Sequence, residues 1–176
     1  MNSPDKLNYL ENQKPMVKIE TVIKSLSGAN VQYVIIGGVA IRTHSSAYVT
    51  YDFDFCYSRS DDNLNRIITA LAPHNPRPRN FPAELSFIFD KSTLRNGTNF
   101  TFATGIGDID LLGEVSGIGN FQDVLADSET VSLYGFEVRV LTLDGLIKAK
   151  RAAGRTKDLL VLPELEALRE VLSDEE

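Results

Sequence analysis

Cysteine and histidine are scarce in this sequence of 176 residues, which contains one cysteine and two histidines. Cys56 alone cannot form an internal disulfide, so nothing in the sequence indicates an oxidising compartment. The same scarcity leaves no set of ligands for a zinc site. Nor do His44 and His74 lie in a sequence context typical of Ser-His-Asp catalysis, and both are interpreted as structural or chemically idle.

Long hydrophobic runs are also missing. No apolar stretch approaches the roughly 20 residues that cross a bilayer, so we expect no contact with a membrane. Residues 1–15 are polar and lack the apolar core of a secretory signal. We expect them to form a flexible lead-in to a single domain over 16–176, in a cytoplasmic protein. Hydrophobic residues make up 43% of the chain and charged residues 24%, which excludes a disordered protein.

Positive charge is in the minority, with 18 Lys and Arg against 24 Asp and Glu and a formal charge of −6. A protein that coats nucleic acid needs a basic surface to release counterions, so this balance argues against that class. It allows a local basic patch on an acidic body.

The periodicity of apolar residues predicts an α+β fold with a mixed sheet, flanking helices and a helical C-terminus. Helices are predicted around 19–26, 39–45 and 61–71, the last with Ser60 or Asp61 as its cap, and over the last forty residues, with a restart at Pro163. Strands are predicted at 31–36, 50–57, 85–89, 98–103 and 107–113. Residues 72–84 contain four prolines and are predicted to be a loop, and a hairpin is predicted to turn at Tyr134 and Gly135.

The segment YDFDFCY is the most informative part of the sequence. Side chains alternate between the two faces of a strand, so Asp52 and Asp54 point one way and Phe53 and Phe55 the other. Two carboxylates side by side repel each other unless water or a cation separates them. Oxygen ligands of this kind suit hard ions such as Mg²⁺.

A second acidic pair, Asp108 and Asp110, alternates in the same way in GDIDLLGE. If the two strands are neighbours, three or four carboxylates converge. Such a cluster can hold two metal ions about 3.5–4 Å apart, as in-line phosphoryl chemistry requires. Each pair taken alone is equally typical of the solvent face of a half-exposed strand.

A glycine pair, Gly37 and Gly38, lies between an apolar strand and a predicted helix. Glycine lets a phosphate approach the backbone closely, and a helix N-terminus offers N–H donors with a favourable dipole. An ordinary strand-to-helix turn explains an isolated glycine pair at least as often.

Together, these motifs resemble the nucleotidyltransferase superfamily with a polymerase-beta-like core, whose signature is hG[GS], then [DE]h[DE]h, then a third carboxylate on a later strand. Gly37 and Gly38 match the first part, and the DFDF segment 52–55 matches the second. Asp110 precedes Leu111 and Leu112 as in the third part, with Asp108 as the fallback. The resemblance extends over residues 30–170 to prokaryotic minimal nucleotidyltransferases akin to the toxins of abortive-infection and toxin–antitoxin systems.

The resemblance implies a metal-dependent enzyme that moves an NMP from an NTP to an acceptor hydroxyl and releases pyrophosphate. It implies that Asp52, Asp54 and Asp110 are catalytic and bind two Mg²⁺ ions, with Mn²⁺ as a substitute. Two departures from the family's pattern affect the expected contacts with the triphosphate. Tyr48 stands where many relatives have an Arg, and Gly38 offers no hydroxyl to a phosphate.

The C-terminal segment LIKAKRAAGRTKD is basic. Lys150 falls on the helical stripe that should face the protein, where an ammonium needs a partner such as a phosphate or the carboxylate cluster. Arg155 and Lys157 follow a break at Gly154, and Asp158 is positioned to orient one of them. A solvated basic helix face is the alternative. In the resembling group, matching residues are thought to bind nucleotide phosphates, which favours Lys150, Arg155 and Lys157 as phosphate ligands.

Three functional hypotheses follow. The first is the nucleotidyltransferase, whose acceptor is an RNA 3′ end, a protein or a small molecule. The second is a non-catalytic member of a toxin–antitoxin-type pair that keeps the fold and binds an antitoxin-like partner. The third is a Mg²⁺ phosphohydrolase, which would release phosphate instead of pyrophosphate.

Overall fold

The computed structural model describes residues 16–45 and 47–173. The lead-in predicted for 1–15 lies outside the described residues, and the single domain stays a prediction. The helices are α1 (Ile19–Gly28), α2 (Gly37–His44), α3 (Asp61–Leu71), α4 (Lys91–Asn96), α5 (Phe121–Ala126), α6 (Leu143–Ala153) and α7 (Thr156–Ser173). The strands are β1 (Tyr33–Ile36), β2 (Asp52–Tyr57), β3 (Arg77–Pro78), β4 (Asn99–Thr104), β5 (Gly107–Leu112), β6 (Glu114–Val115), β7 (Gly119–Asn120), β8 (Ser128–Leu133) and β9 (Phe136–Leu141).

Seven of these strands form one mixed sheet in the order β3-β4-β5-β2-β1-β9-β8, and β6 pairs with β7 in a small second sheet. The pairs β2–β5 and β1–β9 are parallel, whereas β1–β2, β3–β4, β4–β5 and β8–β9 are antiparallel. The α+β fold with a mixed sheet and helical C-terminus is therefore confirmed. The strands that carry the two acidic pairs are direct neighbours.

The strand alternation predicted for YDFDFCY is present in β2. Phe53 and Phe55 are fully buried, whereas Asp52 and Asp54 are half-buried on the opposite face. Cys56 is also fully buried. The apolar face of the strand thus packs into the core, and the acidic face is left for other contacts.

Local sequence signals explain several element boundaries. The Ser60 hydroxyl accepts a hydrogen bond from the Asn63 N–H and caps α3, as predicted. The β8–β9 hairpin turns at Tyr134 and Gly135, both with positive φ, which also agrees with the sequence. Gly154 adopts the left-handed conformation and ends α6.

Three predicted features are wrong. The segment 72–84, predicted to be a loop, contains a 3₁₀ turn (Ala72–His74) and the short strand β3. Residues 85–89 form no strand, because Phe87 and Phe89 pack their rings against Phe102 at 6.0 and 5.3 Å while β3 pairs with β4 instead. The last helix does not restart at Pro163, which lies inside α7. Contacts of Val161, Leu162 and Leu165 with the core hold the helix together around the proline.

No helix among residues 16–45 and 47–173 is both long and apolar enough to cross a membrane.

Candidate functional site

The register of β2 and β5 brings the acidic pairs side by side. Asp52 lies opposite Asp108, and Asp54 lies opposite Asp110. One carboxylate oxygen from each of Asp52, Asp54 and Asp110 lies within 4.8 Å of the others. The parallel pairing thus converts two separate sequence motifs into a group of three carboxylates, called here the carboxylate group.

The carboxylate group concentrates negative charge in a partly buried place. Burial, together with the neighbouring Asp52 and Asp110, raises the pKa of Asp54 to about 7, while Lys150 and Lys157 oppose the rise. Burial also raises the pKa of Asp110, against the lowering effect of Arg79. Mutual repulsion and desolvation of this kind are relieved when a cation binds between the carboxylates.

The donor set of the carboxylate group fits a hard divalent cation. Its ligands are all carboxylate oxygens, and their mutual distances allow one ion to be shared by all three residues. Mg²⁺ and Mn²⁺ prefer such oxygen ligands, whereas zinc sites in proteins usually contain sulfur or imidazole nitrogen. Asp52, Asp54 and Asp110 are therefore the residues that would hold a metal.

The glycine pair lies directly against this group. Gly37 begins α2 with a φ of 65°, and a Cβ there would stand 2.1 Å from Asp54 Oδ2. A Cβ on Gly38 would stand 2.3 Å from the hydroxyl of Thr50. The N-cap of α2 is Ile36, whose side chain makes no capping hydrogen bond. The first N–H groups and the dipole of α2 can therefore interact with an anion.

The basic residues are organised by Asp158, which is completely buried. Lys150 Nζ donates to its Oδ1 at 2.7 Å, and Arg155 Nε donates to its Oδ2 at 2.6 Å. Burial alone would raise the pKa of this carboxyl, but the hydrogen bonds from Arg155 and Lys150 hold the pKa of Asp158 below its usual value. The partner of Lys150 is thus Asp158, not the carboxylate group.

The other basic residues of the segment lie elsewhere. Lys148 is exposed on the outer face of α6, and Arg151 pairs with Glu166 on α7. Arg59, after β2, donates to the carbonyl oxygens of Gly97 and Arg95, which gives it a structural role.

One residue of the site was not found from the sequence. The guanidinium of Arg79 donates through Nη1 to Asp108 Oδ2 at 3.2 Å and through Nη2 to Asp110 Oδ1 at 2.5 Å. It links the two acids of β5. Arg79 follows β3 in the proline-rich segment, which has no periodicity that would place it near β5.

All the predicted site residues line one cavity of about 900 Å³. They are Gly37, Gly38, Asp52, Asp54, Asp110, Lys150, Arg155 and Lys157. The acidic residues come from β2 and β5, the glycines from the start of α2, and the basic residues from α6 and the beginning of α7. Acidic and basic residues therefore line the same cavity, as binding of a metal–polyphosphate complex requires.

His44 and His74 lie outside this arrangement. His44 Nε2 is 3.2 Å from the carbonyl oxygen of Leu141, and His74 Nε2 is 2.9 Å from the Ser25 hydroxyl. Neither histidine lines the cavity.

Two solved structures share this arrangement of elements. The chain matches a protein of Thermotoga maritima, described as a candidate nucleotidyltransferase, with a TM-score of 0.53 and 14% identity over 99% of this chain and 96% of that one. It also matches an antigenic nucleotidyltransferase-like protein of Paracoccidioides brasiliensis, with a TM-score of 0.50 and 12% identity over 89% and 78% of the two chains. This chain has a nucleotidyltransferase fold.

Similarity in sequence is weaker than similarity in structure. The chain matches no protein-family model and no curated protein. At identities of 12–14% the nucleotidyltransferase fold alone is shared. The chemistry must be argued from the cavity itself.

Proposed function

We propose that this protein is a cytoplasmic, metal-dependent nucleotidyltransferase that moves an NMP from an NTP to an acceptor hydroxyl. The observation that carries the proposal is the convergence of Asp52, Asp54 and Asp110 within 4.8 Å on the wall of a cavity that also contains Lys150 and Arg155. A triphosphate with its divalent ion requires carboxylates that bind the ion and cations that bind the phosphate oxygens.

In the proposed reaction, the acceptor oxygen forms a bond to the α-phosphorus and the bond from that phosphorus to its bridging oxygen breaks. The products are the NMP-modified acceptor, pyrophosphate and a proton. When bound, Mg²⁺ or Mn²⁺ supplies charge stabilisation at the transferring phosphoryl group.

The predicted site residues would have different roles in this reaction. Asp52 and Asp54 would hold two metal ions, as the resemblance to the superfamily implies, and Asp110 would help to hold one of them and face the attacking hydroxyl. The N–H groups at Gly37 and Gly38 and the cations of Lys150, Arg155 and Lys157 would bind phosphate oxygens. Asp158 keeps Lys150 and Arg155 in place.

Incubation with α-labelled NTPs, Mg²⁺ and total tRNA or lysate tests this proposal. Labelled RNA, protein or small molecule would identify the acceptor class. We expect the label to disappear with Asp54→Ala, a variant that removes one metal ligand. Undiminished labelling by Asp54→Ala would refute the assignment of the site.

A second candidate function is that of a non-catalytic member of a toxin–antitoxin-type pair. It is favoured by the exposed apolar side chains of α7, where Leu160 and Val171 are 77% and 57% exposed. These two residues are eleven positions apart, which places them on one helix face. This candidate predicts no Mg²⁺-dependent NTP binding by calorimetry, and a complex with the product of a neighbouring gene that Leu160→Glu disrupts.

A further inference from the structure

Arg79 is held by its main chain as well as by its side chain. β3 pairs with β4, and the Arg79 N–H continues this pairing by donating to the Thr101 carbonyl oxygen at 2.9 Å. Thr101 in turn lies opposite Asp110 in the register of β4 and β5. The main chain therefore places Arg79 in line with Asp110, with β4 between them.

The guanidinium of Arg79 reaches across β4 and bridges the two acids of β5. Nη1 donates to Asp108 Oδ2 and Nη2 donates to Asp110 Oδ1, and the side chains of these two acids are only 14% and 18% exposed. A planar guanidinium presents its N–H groups in a rigid fork, whereas a lysine ammonium is a point charge on a flexible stem. Arg79 thus restrains the orientation of the Asp110 carboxylate in addition to balancing part of its charge.

The hydrogen bond from Arg79 distinguishes the two oxygens of Asp110. Oδ1 accepts the guanidinium N–H, and in the part of the chain that the structure describes no hydrogen bond reaches Oδ2. The last torsion of an aspartate has a broad energy minimum, so an unrestrained carboxylate takes many orientations. A carboxylate held by one oxygen presents the other in a narrow range of directions, which favours binding of a metal ion.

We propose that Arg79 is a positioning residue of the metal site, which holds Asp110 by Oδ1 so that Oδ2 can bind the ion shared with Asp52 and Asp54. The inference rests on the proposed function, because it concerns the metal that the carboxylate group would hold. It adds to the site a residue of the proline-rich segment, which none of the sequence motifs includes.

A structural brace is the alternative role for this ion pair. β5 is already paired with β4 along its whole length, and with β2 from Asp108 to Leu112. The register of the sheet therefore does not depend on Arg79. The two roles also differ in what they affect, because a brace stabilises the fold, whereas a positioning residue changes the affinity for metal through Asp110.

Mn²⁺ binding, measured from the paramagnetic resonance signal of the free ion, tests this role without any nucleotide. Arg79→Lys keeps the positive charge and removes the fork. We expect it to weaken Mn²⁺ binding by about 10- to 100-fold, as is typical when a residue that orients a metal ligand is changed. Arg77→Lys is the matched control, because Arg77 donates to the carbonyl oxygens of Pro82 and Leu85. This control should bind Mn²⁺ like the unmodified protein.

A double-mutant cycle tests whether Arg79 acts through Asp110. Asp110→Asn alone should weaken Mn²⁺ binding. Adding Arg79→Lys to Asp110→Asn should cause less than about a twofold further loss, because the carboxylate that Arg79 orients is gone. Thermal melts without metal show that each variant is folded before its affinity is compared.

The outcomes separate this role from the proposed function. If the unmodified protein binds Mn²⁺ and Arg79→Lys binds it equally well or more tightly, the positioning role is refuted and the proposed function stands. The same holds if Arg79→Lys weakens binding equally with and without the Asp110 carboxylate. If the unmodified protein binds no Mn²⁺, the proposed function fails and the positioning role fails with it.

Discussion

The main chain of Gly37 lies against the carboxylate of Asp54, with no space for a side chain between them. A Cβ at Gly37 would stand 2.1 Å from Asp54 Oδ2, and the residue has a φ of 65°, a conformation that disfavours any other amino acid. The glycine that begins α2 therefore also determines the position of a carboxylate in β2. This contact couples the proposed phosphate-binding turn to the proposed metal site.

Gly37→Ala is expected to lower the transfer rate by at least about 100-fold, because an added methyl group displaces Asp54, and a shift of about 1 Å can have that effect. Initial rates with labelled NTP measure it. Gly28→Ala is the control, since a Cβ at that position meets nothing within 4 Å. Equal activity of the two variants would contradict the account of the Gly37–Asp54 contact.

Metal binding should depend on pH through Asp54. Burial, together with Asp52 and Asp110, raises the pKa of this carboxyl from 3.8 to about 7. The metal-free folded state thus holds a proton that the unfolded state releases, and the stability from this group is lost as the pH rises towards 7. Mg²⁺ competes with that proton, so the increase in Tm on adding Mg²⁺ should grow as the pH rises through 7.

Asp54→Asn provides the comparison for this pH dependence. Without metal, the variant should gain stability relative to the unmodified protein as the pH rises from 5 to 8, because Asn carries no charge to desolvate. It should also lose the pH-dependent increase in Tm with Mg²⁺. Thermal melts at several pH values measure both effects, and a Mg²⁺ effect of the same size in the variant would refute the role of Asp54.

The two acids of β5 should differ in importance. Asp110→Asn is expected to lower the transfer rate by about 100- to 1000-fold, because it removes a charge from the group that would hold the metal. Asp108→Asn should lower it by about tenfold, because Asp108 contacts Arg79 and acts on the site through it. Transfer rates of the two variants, measured in parallel, test this order. A larger loss for Asp108→Asn would indicate that Asp108, and not Asp110, is the third metal ligand.

Lys150 and Lys148 offer a matched pair on α6. Lys150→Ala removes the 2.7 Å ion pair with the buried Asp158 and should lower the free energy of unfolding by about 2 kcal/mol. It should also weaken tripolyphosphate binding by about tenfold or more. Lys148→Ala changes an exposed side chain and should stay within about 0.5 kcal/mol. Urea unfolding and calorimetry measure both variants, and similar behaviour of the two would contradict the proposed role of Lys150.

Much of the site could be predicted because its signals are local. The alternation in β2 and the glycines before α2 are properties of adjacent residues, and the elements that carry them formed as predicted. The pairing of β5 with β2 joins segments that lie far apart in the sequence, and no local pattern predicts it. Convergence of the carboxylates was expected only if the two strands were neighbours. The register of Asp54 with Asp110 fulfils that condition.

Other features depend on tertiary packing that no local pattern reveals. Arg79 lies 29 residues before Asp108 in an aperiodic segment, so nothing near it in the sequence indicates its contact. Asp158 was expected to orient Arg155 or Lys157, but the break at Gly154 brings it to Lys150 as well. Pro163 has the local preference for a helix start, which core contacts of the surrounding leucines override.

The fate of the two ends of the triphosphate tests the central claim most directly. The protein would be incubated with Mg²⁺, total tRNA and lysate, in parallel reactions with α-labelled and γ-labelled NTP. Nucleotidyl transfer predicts that the α label becomes attached to the acceptor while the γ label is released as pyrophosphate. Release of the γ label as orthophosphate, with no α label on any acceptor, would contradict the account and indicate a phosphohydrolase.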